Sequence, residues 1–156
     1  MGLSILSIEI QNPEITIQKV ALAAFHAKLF FCFTEWSNIS MDRIEIGLKK
    51  FAGESNEEYL LMDIISEYEQ KENIVKGIPF FSYKKKDCIL IAGTDNVPSR
   101  LCYDFSLAYL RLCPEQMICI YDWVFNLNDI ELYNKSEKWD DIWYRNFDKI
   151  DISSDM

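Results

Sequence analysis

Hydrophobic and polar residues alternate in some stretches of this chain and recur at helical spacing in others. Between Leu3 and Ile10, aliphatic residues alternate with polar ones, which predicts a first strand or an extended arm. Asn12 and Pro13 interrupt this pattern. From Glu14 to about Phe33 the apolar residues fit a well-buried helix, although the aromatic residues near the end of this range also suit a strand.

Two further helices are predicted in the middle of the chain. Ser40 precedes apolar residues at helical spacing, so it marks the start of a helix that ends at Gly53. The sequence Ser55-Asn56-Glu57-Glu58 has Ser and Glu three positions apart. This capping box predicts another helix, which continues through Tyr68.

The strongest hairpin signal lies near residues 80–92. Two apolar runs there flank the polar sequence Lys84-Lys85-Lys86-Asp87, which is typical of a turn. Asp95 or Asn96 then caps a predicted helix, which ends at Pro114 because proline cannot continue a helix.

The last part of the chain predicts a strand, a turn and a closing helix. Residues 117–125 are apolar enough for a buried strand, and Asn126-Leu127-Asn128-Asp129 is typical of a turn. Ser136 caps the closing helix, whose first turn is acidic, as the helix dipole favours.

Together these patterns predict an α+β fold in which helices predominate. No linker or repeat divides the chain, so residues 1–156 are expected to form a single compact domain. It would contain about five helices and a small sheet, made of the hairpin near 80–92 and strands near 3–10 and 117–125.

Charge narrows the range of partners. The 156 residues carry a formal net charge of −9, which disfavours nucleic acid and anionic lipid as partners. The start of the chain has no basic segment followed by a long apolar one, so no secretory signal is expected. The most apolar run, Val20 to Phe33, is too short and too polar to span a bilayer. These observations predict a cytoplasmic protein.

Cysteine and histidine offer little for a metal site. The five cysteines form no C-x-x-C pair, and most of them lie among apolar residues, so we interpret them as buried thiols in a reducing compartment. His26 lies in an apolar segment and is interpreted as a core or near-core residue. Asp122, Asn128, Asp129 and Glu131 lack the spacing and the central glycine of a calcium-binding loop. No metal or cofactor is expected.

No sequence motif of an enzyme is present. The chain lacks G-x-G-x-x-G, the Walker loop, G-x-S-x-G and H-E-x-x-H. Cys88 lies near three lysines, which favours an activated thiolate, but its place in an alternating strand favours a buried thiol more. The sequence therefore predicts a protein without catalytic activity.

The C-terminal part is both acidic and aromatic. From Pro114 onward there are ten Asp or Glu against four Lys or Arg, together with eight aromatic residues that include three of the four Trp. Carboxylates beside large aromatic side chains are typical of a surface that binds a basic protein, because charge steers the encounter and the aromatic residues anchor it.

Helical geometry divides the stretch Lys138–Lys149, KWDDIWYRNFDK, into two faces. At about 100° per residue, Trp139, Trp143 and Phe147 fall on one face, which is predicted to pack on the core. The acids fall on the other face with Tyr144 at their centre, and Arg145 can pair with Asp141. The predicted partner-binding residues are Glu137, Asp140, Asp141, Tyr144, Asp148 and Asp151.

In size, acidic C-terminal region and lack of catalytic motifs, the chain resembles the small acidic immunity proteins of bacterial polymorphic toxin and contact-dependent inhibition systems. The resemblance is at the level of the class and rests on no shared motif. It implies a single-domain cytoplasmic protein that neutralises one cognate toxin domain, often a basic nuclease, by occluding its active site.

Three other functions are compatible with parts of the sequence. An acidic secretion chaperone of this size would hold an unfolded effector segment. A small enzyme would use an unrecognised site, at Cys88 or among the carboxylates. A DNA mimic would need acids spread over a broad surface, and the first 113 residues, with fifteen acids and twelve bases, argue against it.

Overall fold

The computed structural model describes residues 2–32, 43–50, 59–76, 81–94, 99–136, 138–149 and 151–152. The described helices are α1 (Pro13–His26), α2 (Glu67–Lys76), α3 (Arg100–Leu112) and α4 (Leu127–Asn134), with a 3-10 helix at Trp143–Asn146. The described strands are β1 (Leu3–Ser7), β2 (Phe30–Cys32), β3 (Arg43–Lys49), β4 (Tyr59–Ile65), β5 (Phe81–Tyr83), β6 (Lys86–Thr94), β7 (Met117–Ile120), β8 (Trp123–Phe125), β9 (Asp148–Lys149) and β10 (Asp151–Ile152).

The described strands form an antiparallel sheet in the order β2-β3-β4-β6-β1-β7-β8-β9. β5 pairs with the first part of β6, and β10 pairs with β5. β1 lies at the centre, between β6 and β7, and all five of its residues are buried. An all-buried strand is expected where both faces of a sheet are covered.

The larger hydrophobic core lies between this sheet and the helices α1 and α3. α1 contributes Val20, Ala23 and Ala24, whose small side chains allow the helix to approach the sheet closely. Asn12 caps α1 by accepting a hydrogen bond from the backbone N–H of Glu14, and Pro13 follows in the first turn.

A smaller core lies on the opposite face of the sheet. Side chains alternate between the two faces of a strand. Leu6, Cys119 and Val124 therefore point away from α1 and α3, while their neighbours Ile5, Ile118 and Phe125 point toward them. Tyr83 and Cys88 cover this second cluster from the β5–β6 hairpin.

The structure confirms an α+β fold with the predicted hairpin and the helix that ends before Pro114. Four α-helices are described where about five were predicted. The prediction of a small sheet in which helices predominate is wrong, because the described strands form an extensive sheet and outnumber the helices. The predicted helix from Glu14 ends at His26 and is followed by β2. Among residues 117–125, the predicted strand is a β7–β8 hairpin, reversed at Tyr121 with a φ of 53°.

The helix predicted from Ser40 is wrong in the part that is described, which is the strand β3. Ile44 and Leu48 are four apart, as on a helix, but Ile46 lies between them, and all three sit opposite apolar residues of β4. The helix predicted through Tyr68 is likewise the strand β4, followed by α2. The capping-box residues 55–58 and the capping positions Asp95 and Asn96 lie outside the described residues.

Two predictions near the C-terminus are also wrong. Asn126–Asp129 is not a turn, since Asn126 and Asp129 form a capping box that begins α4, with distances of 3.0 Å in both directions. The closing α-helix from Ser136 is replaced by a loop, the short 3-10 helix and the strand β9. No helix in the described part of the chain is long and apolar enough to cross a membrane.

Candidate protein-binding surface

A loop at residues 138–142 presents aromatic, aliphatic and acidic side chains together. Trp139 is 39% exposed and Ile142 is 43% exposed, and Asp140 and Asp141 between them are exposed as well. We call these four residues, Trp139 to Ile142, the acidic–aromatic loop. Large apolar side chains that remain in water beside charged ones are typical of interaction surfaces.

Trp139 is held in place by three neighbours. The guanidinium of Arg100 lies over its ring, 4.7 Å from the centroid, and the ring of Tyr103 contacts it edge-on at 5.6 Å. The indole N–H donates a hydrogen bond to the carboxylate of Asp141, 3.2 Å away. The indole therefore keeps a fixed orientation while part of its surface stays exposed to solvent.

Asp140 and Tyr133 form hydrogen bonds with the backbone of this segment. Asp140 accepts a hydrogen bond from the backbone N–H of Ile142 at 3.0 Å, which turns the chain into the 3-10 helix. Tyr133 donates its hydroxyl proton to the carbonyl of Lys138 at 3.0 Å. Each of these contacts limits the conformations that the loop can adopt, and a preorganised loop loses less entropy on binding.

Beneath the loop, a cluster of aromatic side chains joins it to the core. Trp143 is fully buried, and its ring contacts Tyr103 at 5.1 Å, Phe125 at 5.6 Å and Phe147 at 6.2 Å. These edge-to-face contacts connect α3, β8 and the 3-10 helix. They are favourable beyond the burial of area alone. The prediction that Trp143 packs on the core is confirmed.

The predicted acidic strip around Tyr144 does not exist as a helix face. Tyr144 is only 7% exposed, and its ring contacts Tyr121 at 5.6 Å and Trp123 at 5.7 Å. The 3-10 helix turns more tightly than an α-helix, so the α-helical spacing used in the prediction does not apply. Arg145, expected to pair with Asp141, lies over the ring of Trp123 at 5.5 Å.

The remaining predicted binding residues are scattered. Asp148 is exposed in β9, on the face of the sheet away from α3. Burial and the neighbouring Asp129 raise the pKa of Tyr83 there, and the charge of Asp148 adds a smaller contribution. Asp140 lies elsewhere, near Tyr133. Burial raises the pKa of Tyr133, and the negative charge of Asp140 raises it further. Glu137 lies outside the described residues, and for Asp151 only the backbone pairing with β5 is described.

Sequence reasoning missed two members of this surface. Arg100 lies 39 positions before Trp139 in the chain, and no local pattern connects them. The other is Ile142, whose side chain the loop conformation leaves 43% exposed.

Four of the five cysteines have described side chains, and all four are buried, as predicted. Burial raises the pKa of Cys88 to about 11, with a further contribution from Asp87 that outweighs the attraction of Lys86. Burial also raises the pKa of Cys119 to about 12 and that of Cys102 to about 11. These groups are protonated thiols at neutral pH, which argues against an activated Cys88.

The prediction that His26 is a core or near-core residue is wrong, because it is an exposed residue at the end of α1 and contacts the exposed ring of Phe25.

The residues considered for a calcium loop have other structural roles. Asp129 caps α4, and Glu131 pairs with Arg111. Within the described ranges, no three His, Cys, Asp or Glu side chains are grouped so that they could hold a metal ion.

Comparisons of the chain with protein-family models, with curated proteins and with solved structures give no match. The candidate surface is therefore defined by its own geometry, with the ring of Trp139 at its centre.

Proposed function

We propose that this protein is a non-catalytic binding protein, and that its acidic–aromatic loop contacts a protein partner with a basic surface. The observation that carries the proposal is the partly exposed Trp139, fixed by Arg100, Tyr103 and Asp141 and flanked by two exposed carboxylates. Rigid aromatic side chains are typical anchors of protein interfaces, and exposed carboxylates favour association with a basic partner.

Neutralisation of a toxin domain is the kind of protein binding that fits the resemblance to immunity proteins best. In that form the loop covers the active site of a basic toxin, and this chain performs no chemistry. The burial of Cys88, Cys102, Cys113 and Cys119 and the raised pKa of each thiol support a binding role over the enzyme alternative.

The test is co-expression of the chain with the C-terminal domain of the protein that its neighbouring gene encodes, measuring cell growth and co-purification. We expect growth to be restored and a stable complex to form. Absence of both would contradict neutralisation. A complex with an unfolded effector segment instead of a folded domain would favour the chaperone alternative.

Variants of the loop then identify the interface. Trp139→Ala is expected to accelerate dissociation by about thirtyfold or more, since truncating a central aromatic anchor costs about 2 kcal/mol or more. The double variant Asp140→Asn with Asp141→Asn keeps both hydrogen-bond acceptors and removes two charges. It should slow association and weaken its dependence on salt.

The matched control replaces two exposed acids outside the loop, Asp122→Asn with Glu115→Gln. This pair also removes two negative charges, so it reports the effect of net charge alone. Equal effects of the two double variants would show that the loop is not the interface.

A further inference from the structure

A groove of about 560 Å³ opens between the C-terminal end of α1 and the outer side of α3. Its apolar lining comes from Ala27, Leu107, Ala108 and Leu112. This volume lies within the range of about 300–1,000 Å³ that is usual for small-molecule sites.

The polar groups of the groove carry an excess of positive charge, although the chain as a whole is acidic. The positive charges are those of Lys28 and Arg111, and Asp104 is the one acid among the lining residues. Asp104 accepts a hydrogen bond from Arg100 at 3.3 Å, so its charge is balanced from outside the groove. Lys28 has no ion pair within the described residues.

Arg111 keeps binding capacity despite its own partner. Its Nε donates to the carboxylate of Glu131, and this hydrogen bond raises the pKa of Arg111. A guanidinium has five N–H groups in a planar fork, so the terminal nitrogens can still donate to a second acceptor.

The backbone holds Lys28 in an unusual conformation at the edge of the groove. The N–H of Lys28 donates to the carbonyl of Phe25 at 3.1 Å, and the N–H of Leu29 donates to that of Ala24 at 2.8 Å. These two bonds form a Schellman motif, in which the residue at the position of Lys28 is usually glycine. Lys28 has a φ of 60°. The cap therefore fixes the backbone of Lys28 at the edge of the groove.

We propose that this groove binds a small amphipathic carboxylate. The apolar body of the ligand lies against Leu107, Ala108 and Leu112, and its carboxylate meets the ammonium of Lys28 and the guanidinium of Arg111. A single negative charge matches this pair of cations, since Glu131 already balances part of the charge of Arg111.

The first experiment uses decanoate as a probe, with decanol and decyltrimethylammonium as analogues of similar apolar length. Binding is measured by calorimetry and by amide chemical shifts of the labelled protein. We expect saturable binding of decanoate, weaker binding of the alcohol and none of the cation, with shifts confined to the end of α1 and to α3. No binding of decanoate, equal binding of all three probes, or shifts elsewhere would overturn the proposal.

The second experiment uses Lys28→Gly, which removes the ammonium and relieves the backbone strain. We expect its melting temperature to rise while its affinity for decanoate falls about fivefold or more. The matched control is Lys85→Gly, because Lys85 is also an exposed lysine at positive φ (65°) but lies in the β5–β6 turn. It should gain stability and keep the affinity of the parent protein. Undiminished affinity in Lys28→Gly would contradict the role of Lys28.

Discussion

The side-chain amide of Gln70 forms hydrogen bonds with both backbone groups of Gln11, 59 positions earlier in the chain. Its carbonyl accepts from the N–H of Gln11, and its NH₂ group donates to the carbonyl of Gln11, each at 3.0 Å. The same NH₂ group also donates to the carbonyl of Ile65 at 3.0 Å. Gln70 is fully buried, so one side chain connects the start of α1, the end of β4 and α2.

We therefore expect Gln70→Leu to lower the free energy of unfolding by about 2–3 kcal/mol, because it leaves the backbone groups of Gln11 and Ile65 without their partner. Urea unfolding measures this loss. Gln18→Leu on the exposed side of α1 is the matched control and should change stability by less than about 0.5 kcal/mol. A similar effect of the two substitutions would contradict the role of Gln70.

Trp143 and Trp139 should respond very differently to truncation. Trp143 is fully buried, so Trp143→Ala is expected to cost about 3–5 kcal/mol, whereas Trp139→Ala should cost markedly less because Trp139 is 39% exposed. The indole N–H of Trp143 has no hydrogen-bond partner among the described residues, so Trp143→Phe loses only packing and should be milder than Trp143→Ala. Thermal unfolding of the three variants checks this order.

The β5–β6 turn can be improved by substitution. Lys84 and Lys85 both have positive φ, 50° and 65°, as the central residues of a type I′ turn require. Replacing them with Asn and Gly should raise stability by about 0.5–1 kcal/mol, because these residues adopt positive φ with less strain. Chemical denaturation provides the measurement, and a loss of stability would argue against this turn geometry.

Cys88 is expected to react slowly in the folded protein. With its pKa raised to about 11 by burial, only about one thiol in a thousand is ionised near pH 8. Labelling with a chromogenic disulfide, in a variant that carries Cys32→Ser, should therefore accelerate sharply when denaturant is added. Rapid labelling of Cys88 under native conditions would instead support a reactive thiol at this position.

Glu45 should destabilise the protein at neutral pH. It lies directly opposite Asp63 in the β3–β4 pair, and burial, followed by the charge of Asp63, raises the pKa of Glu45. A raised folded-state pKa means that the folded protein holds this proton more tightly. The unfavourable contribution is therefore absent at acidic pH and appears as the pH rises through the folded pKa.

Glu45→Gln is accordingly expected to stabilise the protein by about 0.5 kcal/mol at pH 7 and to have little effect near pH 3. Unfolding curves at both pH values test this difference, with the exposed Glu9→Gln as a control. An equal effect of Glu45→Gln at the two pH values would show that charge is not the cause.

Local chemistry was enough to predict several elements. Asn12 and Pro13 begin α1 as their capping and backbone preferences require, and Pro114 follows the end of α3. The hairpin near residues 80–92 was predicted from two apolar runs around a polar turn. In these segments the local preferences agree with the tertiary packing.

Segments with ambiguous periodicity could not be assigned in this way. In β3, Ile44 and Leu48 have the spacing of a helix, while Ile44, Ile46 and Leu48 together have that of a strand. Pairing with β4 determines that this segment is a strand, because Leu60, Met62 and Ile64 lie opposite its apolar residues on the same face. A pairing partner more than ten residues away has no local signature.

Local spacing also failed to predict the structure of the closing segment, at the candidate site. Trp139, Trp143 and Phe147 are spaced as on an α-helix, yet the pairing of Asp148 with Val124 in β8 draws the chain into a strand. Trp143 is buried by Tyr103 of α3 and Phe125 of β8, and Trp139 is fixed by Arg100 of α3.

The sequence by itself determined the acidic charge, the buried thiols, the α+β class and the concentration of acids and aromatic residues after Pro114. Only the tertiary structure decided which of those residues meet solvent. It buries Tyr144 among Tyr121 and Trp123 and leaves Trp139 at the surface. The exposure of a side chain depends on contacts between distant segments, and the spacing of residues along one segment does not specify those contacts.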